Sequence, residues 1–194
     1  MQPTGKIRLE AFSDGVFAIA ITLLALELHV PAFLGTTFLG SLHELIPLIP
    51  SMLTFVLSFI TIAIFWVNHH QLTQNFSTIT KRRILWSNIL FLLFLTLIPF
   101  VTAAVSISPQ SPLAVFFYGL VLLGASLSFT LMRYFVHKSC GQSNIPMTRS
   151  LIGPLLYLLA VIASIFAVWV AYVLLAIPAV FYFLPKGSLK EHDE

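Results

Sequence analysis

Residues 8–28 read Arg8-Leu9-Glu10-Ala11-Phe12-Ser13-Asp14-Gly15-Val16-Phe17-Ala18-Ile19-Ala20-Ile21-Thr22-Leu23-Leu24-Ala25-Leu26-Glu27-Leu28. The stretch is apolar enough to enter a membrane, yet it carries Arg8, Glu10, Asp14 and Glu27, and only Gly15 to Leu26 is free of charge. A span needs about 20 residues at about 1.5 Å each to cross the hydrocarbon. A crossing here therefore brings charged groups near or into the bilayer, at roughly 2.5–3.5 kcal/mol per central charge. Such a helix is ill suited to the lipid-facing rim. It belongs inside a bundle with its acids and Arg8 paired, and intramembrane ionisable residues are functional candidates by default.

The rest of the chain supplies a bundle. Of its 194 residues, 58% are hydrophobic and only 9% charged, against about 25% charged in a soluble domain. This is the composition of an integral membrane protein. The chain is too short to hold two six-helix halves of a transporter, so a pathway across the membrane calls for several copies. The net charge of +3 gives no reason to expect a nucleic-acid partner, because the basic residues are placed by topology. A single cysteine, Cys140, excludes an internal disulfide and reads as an ordinary loop thiol. The N-terminal segment does not read as a signal peptide. Glu10 and Asp14 interrupt it, and Glu27 and His29 stand where small residues would prepare a cleavage site.

One domain over residues 1–194 is expected, with helices over about 6–29, 41–71, 84–105, 112–137, 149–165 and 167–184. The first stops ahead of Pro31. The second opens at Ser41, with Glu44 at capping-box spacing, and runs through Pro47 and Pro50, where a kink can form. The last apolar region, Leu151 to Leu184, contains Pro154 and Pro178; its 34 residues are too many for one ordinary span and few for two. Charge decides between them. With six helices, Lys6, Arg8, Lys81, Arg82, Arg83, Arg133, Lys138, Arg149, Lys186 and Lys190 all share one side. With five, the last two fall opposite the rest. The positive-inside rule favours six, both termini cytoplasmic, and a tight turn near Phe166 to Trp169.

In the second helix Ser51, Thr54, Ser58 and Thr61 form a small polar stripe suited to close helix packing, and Gly119, Gly124 and Ser128 read the same way in the fourth. On a helical wheel, Gly15, Ile19, Thr22, Leu23, Leu26 and Val30 share one face of the first helix, while Ser13 and Asp14 point elsewhere. A leucine and isoleucine stripe is ordinarily packing. Here the helix is poorly suited to lipid, so the stripe should face protein or a pore.

Trp66-Val67-Asn68-His69-His70 lies near the end of the second helix from which the first one starts, so Arg8 and Asp14 can approach it. Asp14 is not stable ionised in lipid without partners, and His69 with Arg8 would satisfy it. A structural polar network is the leading reading, ahead of a proton-sensitive one. A metal site is disfavoured because adjacent histidines point about 100° apart on a helix. His29 and His43 read as interfacial, His137 and His192 as solvent-facing. No nucleotide-binding glycine pattern, nucleophile elbow or zinc-protease signature is present, and no enzyme activity or cofactor is expected. The Thr-Val-Gly-Tyr-Gly filter of K⁺ channels and an Arg-rich voltage-sensor helix are also missing.

Arg8-xxx-Phe12-Ser13-Asp14, continued as Gly15-Val-Phe-Ala-Ile-Ala-Ile-Thr22-Leu-Leu-Ala-Leu-Glu-Leu, closely resembles the signature of prokaryotic relatives of the lysosomal transmembrane-protein-175 potassium channel. Trp66-xx-His69 resembles that family's second-helix pattern. The resemblance implies an all-α homotetramer of six-helix subunits in the plasma membrane of a prokaryote, with the first helix of each subunit lining a central cation pore. It implies a narrow hydrophobic ring at Ile19, extended by Leu23 and Leu26, and a selectivity role for the Thr22 hydroxyl, with K⁺ passing transiently near both. It assigns Arg8, Phe12, Ser13, Asp14, Trp66 and His69 to the polar network that holds the pore helix, although on an ideal wheel Arg8 falls near the pore stripe, where it would face the vestibule instead. The expected function is a channel modestly selective for K⁺ over Na⁺. The alternative is a proton channel or proton-coupled transporter using Asp14 and His69.

Overall fold

The computed structural model describes residues 4–28, 37–38, 45–74, 81–140 and 150–183. Six α-helices are complete enough among these residues to be given bounds: α1 (Thr4–Leu26), α2 (Ile49–Gln74), α3 (Arg82–Ile107), α4 (Pro112–Cys140), α5 (Ile152–Phe166) and α6 (Val168–Phe183). The first four are long and apolar enough to cross a membrane, and α5 and α6 are shorter apolar helices. The all-helical membrane fold matches the sequence reading.

The helix ends carry the differences. Helix α1 closes at Leu26, where Glu27 N–H bonds Leu24 O and Leu28 N–H bonds Ala25 O in a tightened last turn. Helix α2 does not run through its prolines. Pro47 lies in a 3₁₀ turn, Ile46–Leu48, and Pro50 in the first turn of α2. A proline is tolerated there because its missing N–H would have no helical partner anyway. The expected Ser41–Glu44 cap, His29 and His43 lie outside the described residues. Cys140, expected in a loop, is the last residue of α4.

The break between α5 and α6 is one residue. Ala167 is extended at φ −152° and ψ 90°; its N–H bonds Ala163 O at 2.7 Å, and its own carbonyl accepts Ala171 N–H at 3.1 Å. Any residue adopts that conformation, so no glycine or proline marks it in the sequence.

Neighbouring helices run antiparallel. Ser58 of α2 shares hydrogen bonds with Thr102 of α3 (2.8 Å) and Tyr118 of α4 (2.9 Å), and Ser51 donates to Ser106 O at 3.3 Å. Thr54 and Thr61 turn their hydroxyls back onto Pro50 O and Leu57 O. The polar stripe of α2 is thus used for packing. Tyr172 of α6 donates to Pro109 O at 2.7 Å, which places the α5–α6 turn beside the α3–α4 connection. This alternation brings Lys6, Arg8, Lys81, Arg82, Arg83, Arg133 and Lys138 to one end of the bundle; Arg149, Lys186 and Lys190 lie outside the described residues.

The core is built from Phe17 and Leu24 of α1, Ile62 and Phe65 of α2, Phe91 and Leu95 of α3, Leu122 of α4 and Leu175 of α6, among others. Small residues set the helix spacing. A Cβ on Gly119 would lie 3.0 Å from the Val161 side chain, and the Phe94 ring lies directly against Gly124. Gly124→Leu is expected to force α3 and α4 apart or expel that ring, at about 1–3 kcal/mol. The check is a lowered melting temperature of the purified protein in detergent.

Candidate functional site

Helix α1 is divided lengthwise. Leu9, Ser13, Phe17, Ala20 and Leu24 recur at spacings of three and four and are all buried against α2 and α3. The opposite face packs on no other helix among the described residues. Phe12, Ile19, Leu23 and Leu26 are 61%, 59%, 42% and 73% exposed. Arg8 and Thr22 are exposed beside them, and a Cβ added to Gly15 would meet nothing within 4 Å.

Thr22 is turned in a particular way. Its hydroxyl donates to Ala18 O at 3.0 Å and Ile19 O at 2.9 Å. The proton therefore faces its own helix, and the oxygen lone pairs face outward, where they can accept but not donate.

The inner face of α1 is held by a buried polar junction of three helices. Asn88 Nδ2 of α3 donates to Ser13 Oγ at 3.0 Å, and His69 Nε2 of α2 meets Asn88 Oδ1 at 2.9 Å. An amide oxygen only accepts, so His69 carries a proton on Nε2 in this arrangement. The imidazole packs edge-on to Phe17 at 5.6 Å and stacked on Phe91 at 6.0 Å. All three side chains are buried, and each is joined to another of the trio by a hydrogen bond.

A second contact sits at the surface, where Trp66 Nε1 donates to Asp14 Oδ1 at 2.9 Å. Trp66 also stacks on His70, whose Nε2 lies 2.8 Å from Gln74 Nε2. The structure thus brings Ser13, Asp14, Trp66 and His69 to one level of the bundle, but not in the expected pairing. Asp14 bonds Trp66 instead of His69, and Arg8 pairs with no described residue. The reason is angular. Ser13 and Asp14 point about 100° apart, so the hydroxyl enters the junction and the carboxylate stays outside it. A neutral amide then satisfies His69 without a buried charge. Phe12 and Arg8 lie on the exposed face and not in the network.

Asn88 is the residue the sequence reading missed. It is an amide inside an otherwise apolar helix, the same signal that drew attention to Asp14 and His69.

The profile described as endosomal/lysosomal potassium channel TMEM175 matches residues 8–99. A potassium channel of Chamaesiphon minutus is 36% identical over 193 residues, covering 93% of this chain and 95% of that protein. The crystal structure of a lysosomal potassium-selective channel TMEM175 homolog from Chamaesiphon minutus superposes with a TM-score of 0.77 at 33% identity, over 92% of this chain and 96% of that one. An endosomal/lysosomal proton channel TMEM175 of Gallus gallus is 41% identical over 106 residues, 50% of this chain and 21% of that protein. A family whose members are channels accounts for a membrane bundle that carries no enzyme signature. The chain belongs to the TMEM175 family of ion channels.

Proposed function

We propose that four copies of the chain surround a K⁺-conducting pore lined by α1, in the plasma membrane of a prokaryote. The observation that carries this is the exposed face of α1, which no other described helix covers. It mixes the apolar Ile19, Leu23 and Leu26 with Arg8, Gly15 and Thr22. A guanidinium and an open stretch of helix backbone suit an aqueous vestibule better than lipid. A four-fold ring of Ile19 forms an apolar neck that gates by dewetting when narrow, and Leu23 and Leu26 lengthen it. Thr22 stands about 4.5 Å further along the axis and offers an acceptor oxygen to an ion that has lost part of its water. K⁺ sheds water more readily than Na⁺, and no carbonyl cage replaces the hydration shell, so selectivity for K⁺ is modest. Ser13, Asp14, Trp66 and His69, joined by Asn88, hold the pore helix. The basic end of the bundle faces the cytoplasm, together with both termini.

The test is ion flux from liposomes holding the purified protein, with K⁺, Na⁺ and H⁺ gradients imposed in turn. A reversal potential that follows the K⁺ gradient and a cross-linked mass of four chains are expected. The name of the Gallus gallus relative supports a second reading, a proton path through Asp14 and His69. Their separate partners argue against a direct relay between them. A current that follows only the pH gradient overturns the K⁺ reading in favour of this one.

A further inference from the structure

We propose that the groove between α3 and α4 at the basic end is a binding site for an anionic phospholipid, independent of which ion the pore conducts. The groove has a volume of about 560 Å³, within the range of ligand-sized sites (about 300–1,000 Å³). Arg82 and Arg83 stand at its mouth, Trp86 one turn deeper, and Leu90, Leu131 and Phe135 form its floor and walls. The sequence explains the order. Residues 82, 86 and 90 follow one another by four on α3, and 131 and 135 by four on the antiparallel α4. Charge therefore lies at one end of the groove and aliphatic and aromatic carbon along about 12 Å below it.

That order is the order of a phospholipid. Among the described residues no carboxylate pairs with Arg82 or Arg83. Their guanidinium forks match phosphate oxygens, and Lys81 adjoins them. The first turn of α3 has no side-chain cap, so its amide N–H groups add positive potential at the level of the headgroup. Trp86 is well exposed and sits where indole rings mark the membrane–water boundary. Beneath it the walls are apolar and open outward, suited to an acyl chain and not to a soluble anion. Basic pockets between helices on the cytoplasmic side hold acidic headgroups in this way. The orientation the groove requires is the one that puts the basic end in the anionic leaflet.

Native mass spectrometry of the purified full-length channel tests the site, with phosphatidylglycerol, phosphatidylcholine and sn-glycerol 3-phosphate as probes. Wild type is expected to retain phosphatidylglycerol in preference to phosphatidylcholine and to bind the soluble phosphate no better than background. Arg82→Gln/Arg83→Gln is expected to weaken phosphatidylglycerol retention about tenfold. Leu90→Trp, which keeps both charges and fills the groove, is expected to weaken it as well, and Leu131→Trp serves if that variant does not fold. Lys138→Gln, which removes a charge at the same end outside the groove, leaves retention unchanged. Equal retention of both lipids by wild type overturns the proposal. So does retention undiminished by the groove-filling variants, or lost equally in Lys138→Gln, either of which points to diffuse charge attraction. Binding of glycerol 3-phosphate with the affinity of the lipid reassigns the mouth to a free anion and also overturns it.

Discussion

Replacing Ile19 with alanine or asparagine is expected to raise single-channel conductance by a factor of about two or more and to lower the K⁺/Na⁺ permeability ratio towards one in bilayer recordings. In the proposed tetramer four side chains act at once in a ring, so one substitution would widen or wet the neck on every side. The same substitution should scarcely affect the subunit. Ile19 is 59% exposed and contributes nothing to the core, so the change in stability is expected within about ±0.5 kcal/mol. This separation of effects is diagnostic, because a residue that merely packs against the bundle would move the melting temperature and leave the permeability ratio alone. Unchanged conductance and selectivity in a well-folded Ile19→Ala channel would remove Ile19 from the neck.

The second large effect belongs to Asn88. Asn88→Leu deletes both bonds of the junction and leaves the hydroxyl of Ser13 and the imidazole of His69 buried without their partner. Each orphaned group costs about 1–3 kcal/mol, so a loss of about 2–6 kcal/mol is expected, with flux lost as α1 comes free of α2 and α3. The cost comes from the orphaned groups and not from the missing amide itself. The triple variant Ser13→Ala/His69→Leu/Asn88→Leu leaves no polar group behind and should regain more than half of the lost stability. An unaltered melting temperature in Asn88→Leu would show that the junction does not hold the helix.

Much of the architecture was legible because lipid imposes simple rules. The six helices follow from hydropathy and from placing basic residues on one side, and the seven described ones do share an end. The division of α1 was legible from periodicity, since residues 19, 22, 23 and 26 share a face on any regular helix and all four are exposed. What failed was partner choice. A carboxylate near a histidine invites pairing on the page, yet the pairing is decided by the angular offset of Ser13 from Asp14 and by an amide on a third helix. Neither is local in sequence. How α2 meets Pro47 and Pro50 was not legible, because a proline inside a long apolar run looks the same whether it opens a helix or bends it. The proposed assembly of subunits around α1 has no signature in the pattern of one chain. It rests on the resemblance carried by Arg8, Phe12, Ser13 and Asp14.

The α5–α6 pair has a consequence for the surrounding membrane. At about 1.5 Å per residue, helices of 15 and 16 residues extend about 22–24 Å, while the hydrocarbon is about 30 Å thick. Tilting shortens their reach further. Over its described residues the pair therefore falls short of that thickness by about 6–8 Å, with Phe166 and Trp169, both highly exposed, at the turn. Each ångström of hydrophobic mismatch costs a fraction of a kcal/mol. Lengthening the acyl chains of a reconstituted bilayer would therefore load that flank of the subunit before it strained the longer helices α1 to α4.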